Sequence, residues 1–122
     1  YYAKRLDIAC HLVMPITAPL VKVESCRRNE AHVTLRGNTF AEAYEYAVAY
    51  ARENGLTYIP PFDHPRIIAG QGTCGLEIIE QLPNIDSVVV PVGGGGLISG
   101  IALAIKEQRP DIFILGVRSE WA

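Results

Sequence analysis

The chain has 122 residues, of which 49% are hydrophobic, and its 11 basic and 13 acidic side chains give a formal net charge of −2. This length suffices for one ordinary hydrophobic core, and the apolar content excludes a disordered chain. The nearly balanced charge leaves no basic surface for nucleic acid, and the apolar runs are too short to cross a membrane, so we expect neither as a partner.

The first third of the chain predicts strands and a helix in alternation. Residues 8–14 form an apolar run that predicts a buried strand, ended by Pro15. Residues 18–28 predict a helix with Pro19 in its first turn, where a missing N–H costs nothing. Residues 32–35 predict a second short strand.

A longer helix is predicted after this strand. Thr39 and Glu42 have the spacing of a capping box, which marks a helix start, and Gly55 is a favoured residue just past a helix end. We expect the helix to bury one face, formed by Phe40, Tyr44, Ala47 or Val48, and Ala51. Residues 56–59 predict a third strand.

The second half begins at a stiff, proline-rich break over residues 60–65. Pro65 can open the next helix, which carries Gly70, Gly72 and Gly75. Glycine costs about 1 kcal/mol relative to alanine inside a helix, so we expect these glycines to pack closely against a backbone or a ligand. Further elements are predicted as a strand (87–92), a helix ending near Arg109, and a strand (112–117).

The alternation of strands and helices predicts an α/β fold with a parallel sheet. The proline-rich break is the best boundary, which divides the chain into residues 1–61 and residues 62–122. The chain opens and closes abruptly, and we expect it to be a fragment of a longer protein.

Four consecutive glycines, Gly93, Gly94, Gly95 and Gly96, lie between the valine-rich strand and the next apolar helix. Glycine permits positive φ angles and lets bare N–H groups approach a ligand. A helix N-terminus adds unpaired N–H donors and the positive end of the helix dipole. The pattern therefore predicts a binding site for a phosphate ester.

Two phosphate ligands fit this pattern. Gly94, Gly96 and Gly100 have a GxGxxxG spacing typical of dinucleotide-binding turns, and Arg118 follows the next strand, where it could meet the 2′-phosphate of NADP. The second ligand is pyridoxal 5'-phosphate, which a family resemblance favours.

Two stretches carry that resemblance: IAGQGT at residues 68–73 and the four glycines after a valine-rich strand. With them, essentially the whole chain resembles the serine/threonine dehydratase and serine racemase family of fold-type II pyridoxal phosphate enzymes. The resemblance implies a three-layer αβα fold (tryptophan synthase β-like). Residues 1–61 would belong to its small domain and residues 62–122 to its large cofactor-binding domain.

The implied activity is that of an L-threonine or L-serine ammonia-lyase, which releases ammonia and a 2-oxo acid by β-elimination. A serine racemase or another fold-type II enzyme is the alternative, and an NADP-binding module is a remote one. The resemblance implies that the backbone of Gly93, Gly94, Gly95 and Gly96, with the N–H of Leu97, binds the cofactor phosphate. It also implies an amino-acid substrate and a homo-oligomeric full-length enzyme.

The same resemblance places the catalytic lysine and the partner of the pyridine nitrogen outside this chain, so we expect no catalytic residue here and no activity of the chain alone. Lys4, Lys22 and Lys106 match no catalytic position and are expected to be solvated. A Gly94→Asp substitution in the full-length enzyme is expected to abolish cofactor retention, because it adds a carboxylate and blocks positive φ.

Three further expectations concern metals, cysteines and a helix end. Arg118 stands where the racemases have a metal-binding carboxylate, and we predict no metal site. Cys10, Cys26 and Cys74 have no metal-ligand spacing and predict free thiols in a cytoplasmic protein. Glu30 replaces the family's glycine after a helix, which costs about 1 kcal/mol.

Overall fold

The computed structural model describes residues 1–120, and the chain divides into two compact units, Tyr1–Tyr58 and Ile59–Ala122. Each unit contains one pair of parallel strands and the helices that adjoin them in sequence. The α/β class with parallel strands is therefore confirmed. The predicted assignment of residues 1–61 and 62–122 to two domains of a longer protein stays a prediction.

The first unit has the order α1 (Tyr2–Arg5), β1 (His11–Met14), α2 (Leu20–Arg28), β2 (His32–Leu35) and α3 (Phe40–Glu53). Strands β1 and β2 are parallel, and their register pairs His11 with His32 and Met14 with Leu35. The β2 prediction is confirmed, whereas β1 begins three residues later than predicted, at His11.

Helix α3 begins and ends as its local sequence predicts. The Glu42 N–H donates to the Thr39 hydroxyl at 3.2 Å, and Gly55 follows the helix with φ +63°. One half of the capping box differs, because the Glu42 carboxylate accepts from the N–H of Asn38 at 2.7 Å rather than from Thr39. The carboxylate still satisfies a backbone donor at the helix entrance.

One prediction for this region is wrong, and another is confirmed only in part. Residues 56–59 form no strand, because they have no ladder partner among the described residues. In the predicted buried face of α3, Ala51 is buried and Ala47 is half-buried as expected, whereas Phe40, Tyr44 and Val48 are exposed. Ala43, which was not predicted, is buried beside them. Apolar spacing fixes which residues share a face, but the packing of other elements decides which face is covered.

The second unit has the order α4 (Pro65–Gln81), β3 (Ser87–Pro91), α5 (Gly96–Gln108) and β4 (Phe113–Val117). Strands β3 and β4 are parallel, with Ser87 opposite Phe113. Its hydrophobic core has four buried residues from β3, α5 and the position before β4, and Ile79 of α4 packs against them; the four are Val90, Ile101, Ile105 and Ile112. Within residues 1–120, no helix has the length and apolar character needed to cross a membrane.

Glycines let α4 and α5 pack closely, as predicted for two of the three glycines in α4. A Cβ on Gly72 would lie 3.3 Å from the carbonyl oxygen of Gly100, and one on Gly75 would lie 3.0 Å from that of Ile101. From the other side, a Cβ on Gly100 would lie 2.3 Å from the carbonyl oxygen of Ile68. Gly70 is different, because its Cβ position is open. This crossing fixes the first turns of α5 against α4.

Candidate functional site

The glycine loop connects the end of β3 to the start of α5. The last ladder bond on the β3 side runs from the Val92 N–H to the Val117 carbonyl at 2.7 Å. Gly95 is the N-cap of α5 with φ +88° and ψ −15°, a left-handed conformation that glycine adopts without strain. Of the four loop glycines only Gly95 has a positive φ, so the expected block of positive φ by Gly94→Asp is wrong.

The loop presents a series of unpaired backbone donors. Across the described residues, the N–H groups of Gly93, Gly94, Gly95, Gly96 and Leu97 donate no hydrogen bond to another protein group. The N-cap is a glycine, so no side chain caps the helix either. These donors lie at the positive end of the α5 dipole, where an anion is stabilised.

The same residues line a cavity of about 260 Å³. Its remaining lining comes from the proline-rich segment, α4 and β3, namely Pro61, Phe62, Ile67, Gln71 and Pro91. None of these side chains carries a charge, so the part of the lining that the structure describes contains no carboxylate that would repel an anion. Gln71 adds an amide that can donate a hydrogen bond.

Phe62 contacts two of the loop glycines. A Cβ on Gly94 would lie 2.3 Å from ring atoms Cδ1 and Cγ of Phe62, and a Cβ on Gly96 would lie 3.0 Å from the Phe62 carbonyl oxygen. Gly93 and Gly95 have no neighbouring atom within 4 Å of the Cβ position. Close approach therefore requires glycine at positions 94 and 96, and a positive φ favours it at position 95.

All five predicted site residues, Gly93 to Gly96 and Leu97, line this one cavity. Their role toward a phosphate stays a prediction. Sequence analysis missed Phe62 and Gln71 as site residues. The prolines around Phe62 could have indicated its place in the site, because a segment with few backbone conformations can form a fixed wall of a cavity.

Other residues that the sequence singled out do not line the cavity. Thr73 donates its hydroxyl to the Gly70 carbonyl of the same helix at 2.8 Å. Lys4 pairs with Glu30 at 2.7 Å. Lys106 is exposed as expected, and its ammonium also donates to the carbonyls of Pro110 and Ile112 at 2.8 and 2.6 Å.

The family described as "Pyridoxal-phosphate dependent enzyme" matches residues 1–122. The chain belongs to this family, which confirms the resemblance seen in the sequence. The family match favours pyridoxal phosphate over the nicotinamide dinucleotide that the glycine spacing left open.

Two of the relatives that the chain resembles are named as a threonine ammonia-lyase and a threonine dehydratase. The chain is 49% identical over 118 residues to the L-threonine ammonia-lyase of Thermotoga maritima, covering 97% of this chain and 29% of that protein. It is 50% identical over 115 residues to the threonine dehydratase of Nicotiana attenuata, covering 94% of this chain and 19% of that protein. The chain therefore spans about a fifth to a third of the length of these relatives.

Solved structures agree on the fold. The processed form of threonine deaminase isoform 2 from Solanum lycopersicum has a TM-score of 0.84 at 46% identity, covering 94% of this chain and 32% of that one. Maize serine racemase has a TM-score of 0.87 at 39% identity, covering 93% of this chain and 35% of that one. The fold is thus part of the fold-type II architecture that the resemblance implied.

The loop suits the family's cofactor. A phosphate ester needs several hydrogen-bond donors and an uncharged or positive surround. Among residues 1–120, the cavity offers five unpaired N–H groups at a helix N-terminus, and its lining has no acidic side chain. The residues present therefore fit the phosphate of pyridoxal phosphate.

Proposed function

We propose that this chain is a segment of a longer pyridoxal phosphate-dependent L-threonine/L-serine ammonia-lyase and that it binds the cofactor phosphate. Two relatives of about 50% identity named as a threonine ammonia-lyase and a threonine dehydratase support the activity. The reaction removes the β-hydroxyl of the amino acid and yields ammonia and a 2-oxo acid.

The observation that carries the phosphate assignment is the set of unpaired N–H groups of Gly93, Gly94, Gly95, Gly96 and Leu97 around one cavity. Backbone donors need no side-chain ordering, and the rigid strand and helix on either side fix their directions. When bound, pyridoxal phosphate supplies an electron sink for the bond-breaking step at the amino-acid α-carbon. This chain would hold the cofactor by its phosphate and so fix the orientation of the ring.

The remaining proposals concern the whole protein. We propose that residues 1–61 belong to a small domain and residues 62–122 to the large cofactor-binding domain. The division into compact units after Tyr58 supports a boundary in this region. We also propose a homo-oligomer in the cytoplasm, and the free state of Cys10, Cys26 and Cys74 supports a reducing compartment.

Serine racemase is the second candidate. Maize serine racemase at 39% identity, with its TM-score of 0.87, supports it. A racemase and an ammonia-lyase of this fold both need the cofactor phosphate, so the loop alone does not separate them. The products separate them directly.

The test uses the purified full-length protein that contains this chain. We expect an absorption band from the protein-bound cofactor that is lost on borohydride treatment, 2-oxobutanoate from L-threonine and pyruvate from L-serine. Formation of D-serine without 2-oxo acid would favour the racemase. If the protein shows no cofactor band and neither product is formed, the proposed function is wrong.

A further inference from the structure

The four loop glycines differ in what they face. Positions 94 and 96 are pressed against Phe62, whose ring lies where a Gly94 Cβ would be and whose backbone lies 3.0 to 3.1 Å from a Gly96 Cβ. Positions 93 and 95 are open on their Cβ side. One aromatic residue therefore contacts alternate residues of the loop that presents the N–H donors.

Phe62 is itself held firmly. Pro60 and Pro61 precede it and Pro65 follows, so the backbone has few accessible conformations. Its carbonyl accepts from the N–H of His64 at 3.1 Å. His64 caps helix α4, because its Nδ1 accepts from the N–H of Arg66 at 3.2 Å. The segment is thus fixed to the start of α4.

We propose that Phe62 is a positioning residue for the phosphate loop. Its ring confines Gly94 and its backbone confines Gly96, so that the loop that carries the N–H groups keeps one conformation before the cofactor arrives. Glycine-rich backbone is otherwise the most flexible kind, and ordering it on binding costs affinity. This inference rests on the proposed phosphate-binding function and adds to it the residue that organises the loop.

The first test compares pyridoxal phosphate with pyridoxal, which lacks the phosphate, as ligands of the full-length apoprotein. In Phe62→Ala we expect the affinity for pyridoxal phosphate to fall roughly 10- to 100-fold, the cost of ordering one or two backbone residues. The affinity for pyridoxal should hardly change. An equal loss for both ligands, or no loss for either, would overturn the inference.

The second test is a double-mutant cycle. Gly94→Ala alone should weaken cofactor binding, because its Cβ would meet the Phe62 ring at 2.3 Å. In the Phe62→Ala background the same methyl group has room, so Gly94→Ala should then be harmless or restore affinity. Gly95→Ala is the matched control, because its strain comes from φ +88° and removing Phe62 leaves that strain in place. Additive losses at both glycines would contradict the proposed contact.

The affinities of the wild-type protein for the two ligands distinguish a failure of the phosphate site from a failure of the role of Phe62. If wild type binds pyridoxal phosphate no better than pyridoxal, the proposed phosphate site itself fails. If wild type discriminates and Phe62→Ala discriminates equally well, only the role of Phe62 fails. Should Phe62→Ala not fold, Phe62→Leu supplies the measurement. Leucine keeps an apolar side chain, so we expect Phe62→Leu to lose less of the preference for pyridoxal phosphate over pyridoxal than Phe62→Ala. If Phe62→Leu keeps the full wild-type preference, the inference is wrong.

Discussion

Adding one negative charge at the loop tests the phosphate site most directly. Gly95 has φ +88°, and no atom lies within 4 Å of where its Cβ would be. Asn and Asp are the side chains that tolerate this conformation best, and both are favoured N-caps. Gly95→Asp and Gly95→Asn should therefore fold alike, and they differ by a single charge.

The expected difference follows from Coulomb's law. A carboxylate about 5 Å from a phosphate bearing about two negative charges costs about 1.7 kcal/mol in water and about four times more at an effective dielectric constant of 20. The smaller value corresponds to an affinity for pyridoxal phosphate about 18-fold weaker in Gly95→Asp than in Gly95→Asn. The Asp carboxylate can also accept from the free N–H groups of α5, which acts in the same direction.

The assay is a spectrophotometric titration of the full-length apoprotein with pyridoxal phosphate at low and high salt. The difference between the two variants should shrink at high salt, because ions screen exposed charges, and it should vanish for pyridoxal. Equal affinity of both variants for pyridoxal phosphate at low salt would refute the placement of the phosphate at this loop.

Three further predictions concern stability, measured on the full-length protein by hydrogen exchange or urea unfolding. Gly100→Ala should destabilise the α4–α5 contact by about 1–3 kcal/mol, because its Cβ would meet the Ile68 carbonyl at 2.3 Å. Gly70→Ala, the matched control with open space, should stabilise by about 0.5–1 kcal/mol; equal effects would contradict this packing. Glu30 has φ +61°, so Glu30→Gly should relieve about 1 kcal/mol of strain and lose less than that from the exposed pair with Lys4. Glu30→Gln, which keeps the strain, should not stabilise. Burial, with a smaller contribution from His32, lowers the pKa of His11 below its ordinary 6.5. The unfolded chain then binds the proton more readily, so stability should fall as the pH drops below about 6.5. In His11→Gln the loss of stability that His11 causes at low pH should be absent. If the stability of His11→Gln depends on pH as that of the wild type does, His11 is not the cause.

Local signals in the sequence predicted much of the secondary structure. The capping pair Thr39 and Glu42 sets the start of α3, and Pro65 opens α4. The valine-rich run before the glycines forms β3, and its parallel pairing with β4 follows from the intervening helix. The two helix starts depend on residues a few positions apart, and the parallel pairing follows from the order of strand, helix and strand along the chain, so the sequence alone determines them.

Predictions that depended on distant packing succeeded less often. Residues 56–59 have strand-like composition and form no strand, because a strand also needs a neighbour to pair with. Of the face predicted to be buried in α3, the aromatic residues Phe40 and Tyr44 are exposed, while Ala51 is buried as expected. The spacing of apolar residues along the sequence shows which of them share a helix face. Only the arrangement of the other elements decides which face is buried.

The glycine loop depends both on the local sequence and on tertiary contacts. Four glycines between a strand and a helix were enough to predict a phosphate site, because backbone donors and the helix dipole are local properties. The tertiary structure gives the reason for three of the four glycines: Gly95 for its positive φ, and Gly94 and Gly96 for their contact with Phe62. Phe62 is some thirty residues away in sequence, and contacts over such a separation exist only once the chain has folded.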